Sequence, residues 1–114
     1  MIFVIEDDEI MSECIARACG KKVITFSNAI SAMNAISEGV MPKLIFLDVL
    51  LDGPDGFTLL NELISYSDTA SIPVVIVSSL DFKGKDLSVY GVVGILSKDT
   101  MKPEDVRRYV ERYA

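Results

Sequence analysis

The chain has 114 residues, 50% of them hydrophobic, and a formal net charge of −6 at pH 7. This length favours a single domain with a substantial core, and the negative charge argues against direct binding of nucleic acid. The sequence contains no histidine, which excludes Ser-His-Asp and Cys-His catalysis, a zinc-histidine site and a phosphohistidine on this chain.

Five short apolar runs alternate with helical patterns and are predicted to be buried parallel strands. They span residues 2–6, 22–26, 43–48, 74–77 and 92–96. The patterns between these runs are long enough to be the crossover helices that parallel strands need. The expected architecture is therefore an open five-stranded parallel sheet with helices on both faces, an α/β fold of the (βα)5 type.

The first predicted helix begins after Asp8, a suitable N-cap, and ends at Gly20. Its two cysteines lie five residues apart and fall on different faces, so a disulfide between them is not expected. Both are predicted to be buried free thiols. The residues predicted to face the core are Met11, Cys14, Ile15 and Ala18.

The remaining helices have start and stop signals of unequal strength. The second is predicted to be capped by Ser27 or Asn28, and the third covers residues 57–66. Residues 82–90 carry a weak helical signal, and the last helix is predicted to begin at Pro103. The residues predicted to face the core in these helices are Ile30, Met33, Ile36, Leu60, Leu63, Ile64, Val106, Tyr109, Val110 and Tyr113.

No apolar run of the sequence approaches the length of a membrane span, and the first residues lack the basic segment of a secretory signal. We therefore expect a cytoplasmic protein that makes no membrane contact.

Acidic residues close the first and third predicted strands. Glu6 and Asp7 end the first strand, and Asp48 ends the third. Because the carboxyl ends of parallel strands share one edge of a sheet, these side chains are expected to meet there. Clustered carboxylates destabilise a fold unless a cation or a reaction uses them. The cluster is therefore predicted to be a functional site, with Ser78 and Lys98 at the ends of strands four and five beside it.

Four segments resemble motifs of the response-regulator receiver domain of two-component signalling. They are Val-Ile-Glu-Asp-Asp, Leu-Asp-Val-Leu-Leu-Asp-Gly-Pro-Asp-Gly-Phe, Ile-Pro-Val-Val-Ile-Val-Ser-Ser and Gly-Ile-Leu-Ser-Lys. They occur in the family's order, and the resemblance covers essentially the whole chain. It implies that residues 1–114 form one receiver domain with a flavodoxin-like fold, stand-alone and similar to the chemotaxis type.

The resemblance also implies a role for each site residue. Asp48 would accept a phosphoryl group from a phosphohistidine on a sensor histidine kinase or a histidine phosphotransfer protein. The hydroxyl of Ser78 would turn toward the resulting acyl phosphate, and Lys98 would pair with a phosphoryl oxygen. The chain would then be a signalling phosphoacceptor that catalyses only its own phosphorylation and slow autodephosphorylation, and not an enzyme acting on other substrates.

By the same resemblance, the cofactor would be Mg²⁺. Asp7 would bind it directly and Glu6 through water. Asp48 and the backbone carbonyl of Leu50 would complete the protein ligands. The partners implied beyond the phosphodonor are a downstream protein and a second copy of the chain, bound through the last helix and strand.

Three positions depart from the family pattern. Ile95 stands where the family usually has an aromatic residue that couples phosphorylation to the output face. Asp99 and Asp52 stand where it usually has prolines, so a trans peptide bond is expected before Asp99. These departures leave open a pseudo-receiver, an adaptor that signals by protein contact without phosphorylation. A phosphatase of the haloacid-dehalogenase type is disfavoured, because its second aspartate is replaced by Leu50.

Overall fold

The computed structural model describes residues 1–49, 56–80, 82 and 86–114. Its strands are β1 (Ile2–Ile5), β2 (Val23–Phe26), β3 (Leu44–Leu47), β4 (Val74–Ser78) and β5 (Val92–Ser97). The α-helices within the described ranges are α1 (Glu9–Cys19), α2 (Ala29–Ser37), α3 (Gly56–Ile64) and α4 (Pro103–Tyr113). None of these helices is long and apolar enough to cross a membrane.

All five strands pair in parallel in one sheet of order β2-β1-β3-β4-β5. The side chains of β1, β3 and β4 are fully buried, as expected for strands covered on both faces. The predicted five-stranded parallel α/β fold is confirmed. Ile5 pairs with Leu47 at the centre of the sheet, so the residues that follow β1 and β3 emerge side by side at its carboxyl edge.

Two hydrophobic clusters cover the two faces of the sheet. One contains the apolar side chains of α2 and α3, and the other contains those of α1 and α4. The crossovers from β1 and β3 therefore leave in opposite directions. This arrangement opens a crevice between β1 and β3 at their carboxyl ends, where ligands bind in open α/β sheets.

The helix start and stop signals of the sequence are confirmed at several ends. The side chain of Asp8 accepts hydrogen bonds from the first turn of α1, and Gly20 ends this helix in the left-handed region with a φ of 64°. Of the two candidate caps for α2, Asn28 has that role, since its side chain accepts from Ser31 N. Pro103 opens α4.

Three residues predicted to face the core lie at the surface instead. They are Cys14, Ile30 and Ile64. In α2 the buried residues are Ala29 and Ala32, whose small side chains let this helix approach the sheet closely and turn Ile30 away. Met33 and Ile36 do pack against the core, as predicted, so periodicity misplaced only Ile30 in this helix.

Both cysteines are free thiols, as predicted, but only one of them is buried. Cys19 lies in the core, where burial raises the pKa of its thiol to about 11. Cys14 is exposed, so the prediction of its burial was wrong.

The connection from β4 to β5 holds only one short helical element among its described residues, a 3₁₀ turn at Ser88–Tyr90. Val93 and Ile95 on β5 are 38% and 39% exposed. The pairing of β5 is also irregular, because Val74 pairs with Val92 whereas Val75 pairs with Gly94. Val93 is thus an extra residue in the strand, which makes a β-bulge.

Candidate functional site

Three carboxylates meet at the carboxyl edge of the sheet. One oxygen each from Glu6, Asp7 and Asp48 lies within 4.8 Å of the others. Glu6 and Asp48 are only 3% and 4% exposed, whereas Asp7 is exposed. Two of the three carboxylates are therefore shielded from water, which strengthens the repulsion between their charges and lowers the stability of the fold.

Lys98 reaches into this cluster from the end of β5. Its Nζ donates hydrogen bonds to Oδ2 of Asp48 at 2.9 Å and to Oε1 of Glu6 at 3.0 Å. Burial alone would lower the pKa of Lys98, but the two hydrogen bonds and the negative charges of Glu6 and Asp48 together outweigh it and hold the pKa above its ordinary value. The ammonium therefore remains charged near neutral pH and offsets part of the negative charge.

The bridge from Lys98 to Glu6 was not predicted from the sequence. Sequence reasoning placed both residues at the carboxyl edge but paired the lysine only with a phosphoryl group. The strand order places β5 two strands from β3 and three from β1. Only a long side chain such as lysine can span that distance. The length of the Lys98 side chain is therefore the feature of the sequence from which its contact with Glu6 could have been predicted.

Glu6 is the least satisfied side chain of the site. Its Oε1 accepts hydrogen bonds from Lys98 and from Asp8 N, while its buried Oε2 has no hydrogen-bond partner among the described residues. Burial is the largest cause that raises the pKa of Glu6 to about 7, opposed by the hydrogen bond from Lys98. An orphaned buried oxygen beside two other carboxylates suits a cation or a water bound to one.

The donor set fits a hard divalent cation. It consists of carboxylate oxygens from Glu6, Asp7 and Asp48, the ligand type preferred by Mg²⁺, and Asp7 leaves the cluster open to water. Leu50, whose backbone carbonyl the sequence analysis added to this set, lies outside the described residues.

Ser78 ends β4, the strand next to β3. It is 1% exposed, and its Oγ accepts a hydrogen bond from Leu80 N at 3.0 Å. This bond ties the serine to the start of the following loop. Movement of the Ser78 hydroxyl would therefore break or shift its hydrogen bond with Leu80 and displace the start of that loop.

Of the three positions that depart from the family pattern, Ile95 lies on β5 and Asp99 directly follows Lys98, whereas Asp52 lies outside the described residues. Ile95 on β5 is 39% exposed. The bond between Lys98 and Asp99 is trans, because the described chain contains no cis peptide bond, as expected without proline.

A parallel sheet of this strand order, with its acidic cluster and its lysine at the carboxyl edge, places the protein among the receiver-type signalling domains. The response regulator receiver domain family matches residues 2–111, and the chain belongs to this family. Receiver domains are signalling phosphoacceptors that are phosphorylated by histidine kinases, and they bind Mg²⁺ in their active sites.

Individual proteins show the same relationship. The response regulator PleD of Caulobacter vibrioides is 31% identical over 85 residues, which cover 73% of this chain and 19% of that protein. The chain thus spans about a fifth of this curated relative. The receiver domain of NtrX from Brucella abortus superimposes with a TM-score of 0.83 at 28% identity, covering 99% of this chain and 97% of that one.

A third protein has the same fold at lower identity. The receiver domain of the sensor histidine kinase PA1611 from Pseudomonas aeruginosa PAO1 has a TM-score of 0.80 at 20% identity, covering 98% of this chain and 94% of that one. Its structure is described with a magnesium ion in the active-site cleft.

Proposed function

We propose that this protein is the phosphoacceptor of a two-component phosphorelay and that Asp48 receives the phosphoryl group in a Mg²⁺-dependent reaction. The observation that carries the proposal is the pairing of buried Asp48 with Lys98 at 2.9 Å, beside Glu6 and Asp7. A surface acid would need no such arrangement. In this proposal, residues 1–114 act as one receiver domain.

In the proposed reaction, a carboxylate oxygen of Asp48 attacks the phosphorus atom of a phosphohistidine on a partner. A P–O bond forms and the P–N bond breaks, and the bonding electron pair stays on the imidazole nitrogen. The partner is a sensor histidine kinase or a histidine phosphotransfer protein. Since such donors draw their phosphoryl groups from ATP, we place the reaction in the cytoplasm.

The residues of the site have complementary tasks in this reaction. Lys98 holds Asp48 in place and can pair with a phosphoryl oxygen as a point charge. Ser78 would donate its hydroxyl hydrogen to the acyl phosphate. Glu6, Asp7, Asp48 and the carbonyl of Leu50 would hold Mg²⁺, which when bound would neutralise charge on the phosphoryl oxygens.

Phosphoryl acceptance is testable with a small acyl phosphate and Mg²⁺. The wild-type chain should gain the mass of one phosphoryl group, and Asp48→Asn should gain none, because an amide is not a nucleophile for this transfer. Intact-mass spectrometry measures the gain. Asp68→Asn, which changes an exposed aspartate, is the matched control and should label like the wild type. Equal labelling of wild type and Asp48→Asn would show that Asp48 is not the acceptor.

We further propose slow autodephosphorylation, because Leu80, two residues beyond Ser78, cannot hydrogen-bond an attacking water. Leu80 is 44% exposed, so a longer polar side chain fits there. Leu80→Glu should speed the loss of the phosphoryl group about a hundredfold, the low end of the range for general-base assistance. Decay of the phosphorylated mass measures this rate. Leu80→Met is the control, and similar rates for all three proteins would contradict the proposal.

Output is proposed to pass by contact with a downstream protein and by formation of a homodimer through α4 and β5. Val93 and Ile95 of β5 are part-exposed apolar residues, and α4 adds exposed arginines at positions 107, 108 and 112.

The alternative function is a pseudo-receiver adaptor that signals by protein contact alone. It is favoured by Ile95, which lacks the ring expected for the output switch. A wild-type chain that gains no phosphoryl group in the mass experiment would contradict acceptance by Asp48 and favour this alternative.

A further inference from the structure

A groove of about 280 Å³ lies between α2 and α3, and its lining is largely apolar. The apolar side chains are Met33 and Ile36 of α2, Met41 beyond that helix, and Leu63 and Tyr66 at the end of α3. Met41 is 40% exposed and Tyr66 is 56% exposed. Two methionines make the lining adaptable, because the unbranched thioether side chain adjusts to different shapes.

The groove lies far from the phosphoacceptor site in the fold. Helices that follow the strands begin at the carboxyl edge of the sheet and return toward the opposite edge. The residues that line the groove come from the ends of α2 and α3 and the segments after them. The groove is therefore at the amino edge, and binding there leaves the crevice at Asp48 open.

The rim of the groove is acidic. Glu62 and Asp68 line it, both are exposed, and neither forms an ion pair with a described residue. Within the described part of the chain, none of the lining residues is a lysine or an arginine. Two uncompensated carboxylates beside apolar surface attract a positively charged partner.

The wall of the groove after α3 is held in place by hydrogen bonds. Thr69 is 4% exposed, and its hydroxyl donates to the carbonyl oxygen of Leu63. Ala70 N donates to Tyr66 O at 2.9 Å. These bonds fix the turn against the end of α3, so the groove is preformed and a partner need not order it.

We propose that this groove binds a basic amphipathic helix of a partner protein. One large apolar side chain of that helix enters between α2 and α3, and flanking lysines or arginines pair with Glu62 and Asp68. The volume suits one or two side chains and is small for an organic ligand. This interface is additional to the phosphoacceptor function and does not depend on it.

A second copy of the chain does not match this partner. The described helix richest in arginine is α4, and its apolar residues Val106 and Val110 are 2% and 3% exposed in the core of its own domain. The helix that occupies the groove therefore comes from another protein.

The probe for this proposal is a synthetic peptide of about 15 residues, with leucine at helical positions i, i+3, i+4 and i+7 and lysine elsewhere. The unphosphorylated chain, labelled with ¹³C at its methionine methyl groups, has five reporters. The methyl signals of Met33 and Met41 should shift, and those of Met11 and Met101 should not. A peptide with glutamate in place of lysine should shift none of them.

Glu62→Lys and Glu111→Lys give a matched pair, since each reverses one exposed helical glutamate. Glu62→Lys should weaken binding of the lysine peptide about tenfold, as expected for loss of an attractive pair and gain of a repulsive one. Glu111→Lys should stay within about twofold, because screening weakens distant charges.

If both variants weakened binding of the lysine peptide equally, the peptide would be attracted only by the net charge of the chain, and the proposal would be overturned. Shifts confined to Met11 or Met101 would place the peptide elsewhere and overturn it too. Shifts of Met33 and Met41 on dilution of the chain alone would assign the groove to self-association. Because the chain is unphosphorylated throughout, none of these outcomes bears on the role of Asp48.

Discussion

Replacement of Lys98 by methionine should lower the free energy of unfolding of the metal-free protein by about 3–5 kcal/mol, the usual effect of removing one partner from a buried ion pair. Lys98 contacts both buried carboxylates of the site. Without its ammonium, the buried carboxylate of Asp48 loses the cation bound to it, and Glu6 loses the hydrogen bond that lowers its pKa. Denaturant titration in the presence of a chelator measures the loss, and the melting temperature should fall by roughly 10 °C or more.

Two further variants separate lost charge compensation from lost packing. Lys43→Met changes an exposed lysine that forms no ion pair with a described residue, and it should change stability by less than about 0.5 kcal/mol. Adding Asp48→Asn to Lys98→Met should restore part of the stability, because it removes the buried charge that Lys98 compensates in the wild type. If Lys98→Met is as stable as Lys43→Met, the ion pairs contribute nothing.

Millimolar Mg²⁺ should stabilise the wild-type chain against heat. A ligand that binds only the folded state at tenfold excess over its Kd adds about 1.4 kcal/mol, equivalent to roughly 5 °C for a domain of this size. Asp7→Ala should remove most of this gain. Since Asp7 is exposed, its loss should change the metal-free melting temperature little. Differential scanning calorimetry at matched ionic strength measures both effects.

Glu9→Ala provides the control for Mg²⁺, because Glu9 is an exposed acid outside the cluster. It should respond to Mg²⁺ like the wild type. A full response of Asp7→Ala to Mg²⁺ would show that the cation does not use this carboxylate.

The sequence was sufficient to predict the strands, because short apolar runs are typical of parallel strands, and the three central runs are fully buried. The helix faces were harder to predict. Hydrophobic periodicity does not distinguish Ile30 from Ala29 as a core residue. In the structure Ala29 and Ala32 are buried against the sheet and Ile30 is exposed, because small side chains allow the helix to approach closely. The weak helical pattern over residues 82–90 agrees with the structure, in which the described part of that segment forms a single 3₁₀ turn.

The meeting of carboxylates at one edge follows from strand direction alone, which is why Glu6 and Asp48 could be placed together. The hydrogen bonds and burial of Glu6 and Asp48 could be known only from the structure. No pattern in the sequence indicates that Oε2 of Glu6 lacks a hydrogen-bond partner among the described residues or that Lys98 bridges two acids. The close approach of Gly56 to Val49 could not be predicted from the sequence either. A Cβ atom at position 56 would lie 2.6 Å from Cα of Val49, so this position requires glycine.

The bulge at Val93 bears on how the protein behaves at high concentration. β5 is an outer strand of the sheet, and Val93 and Ile95 are part-exposed. A flat apolar outer strand is a template for edge-to-edge aggregation, whereas an extra residue breaks the regular row of backbone donors and acceptors and twists the strand. The bulge therefore opposes extension of the sheet through the backbone of β5, while the side chains of this strand stay available for contact with another protein.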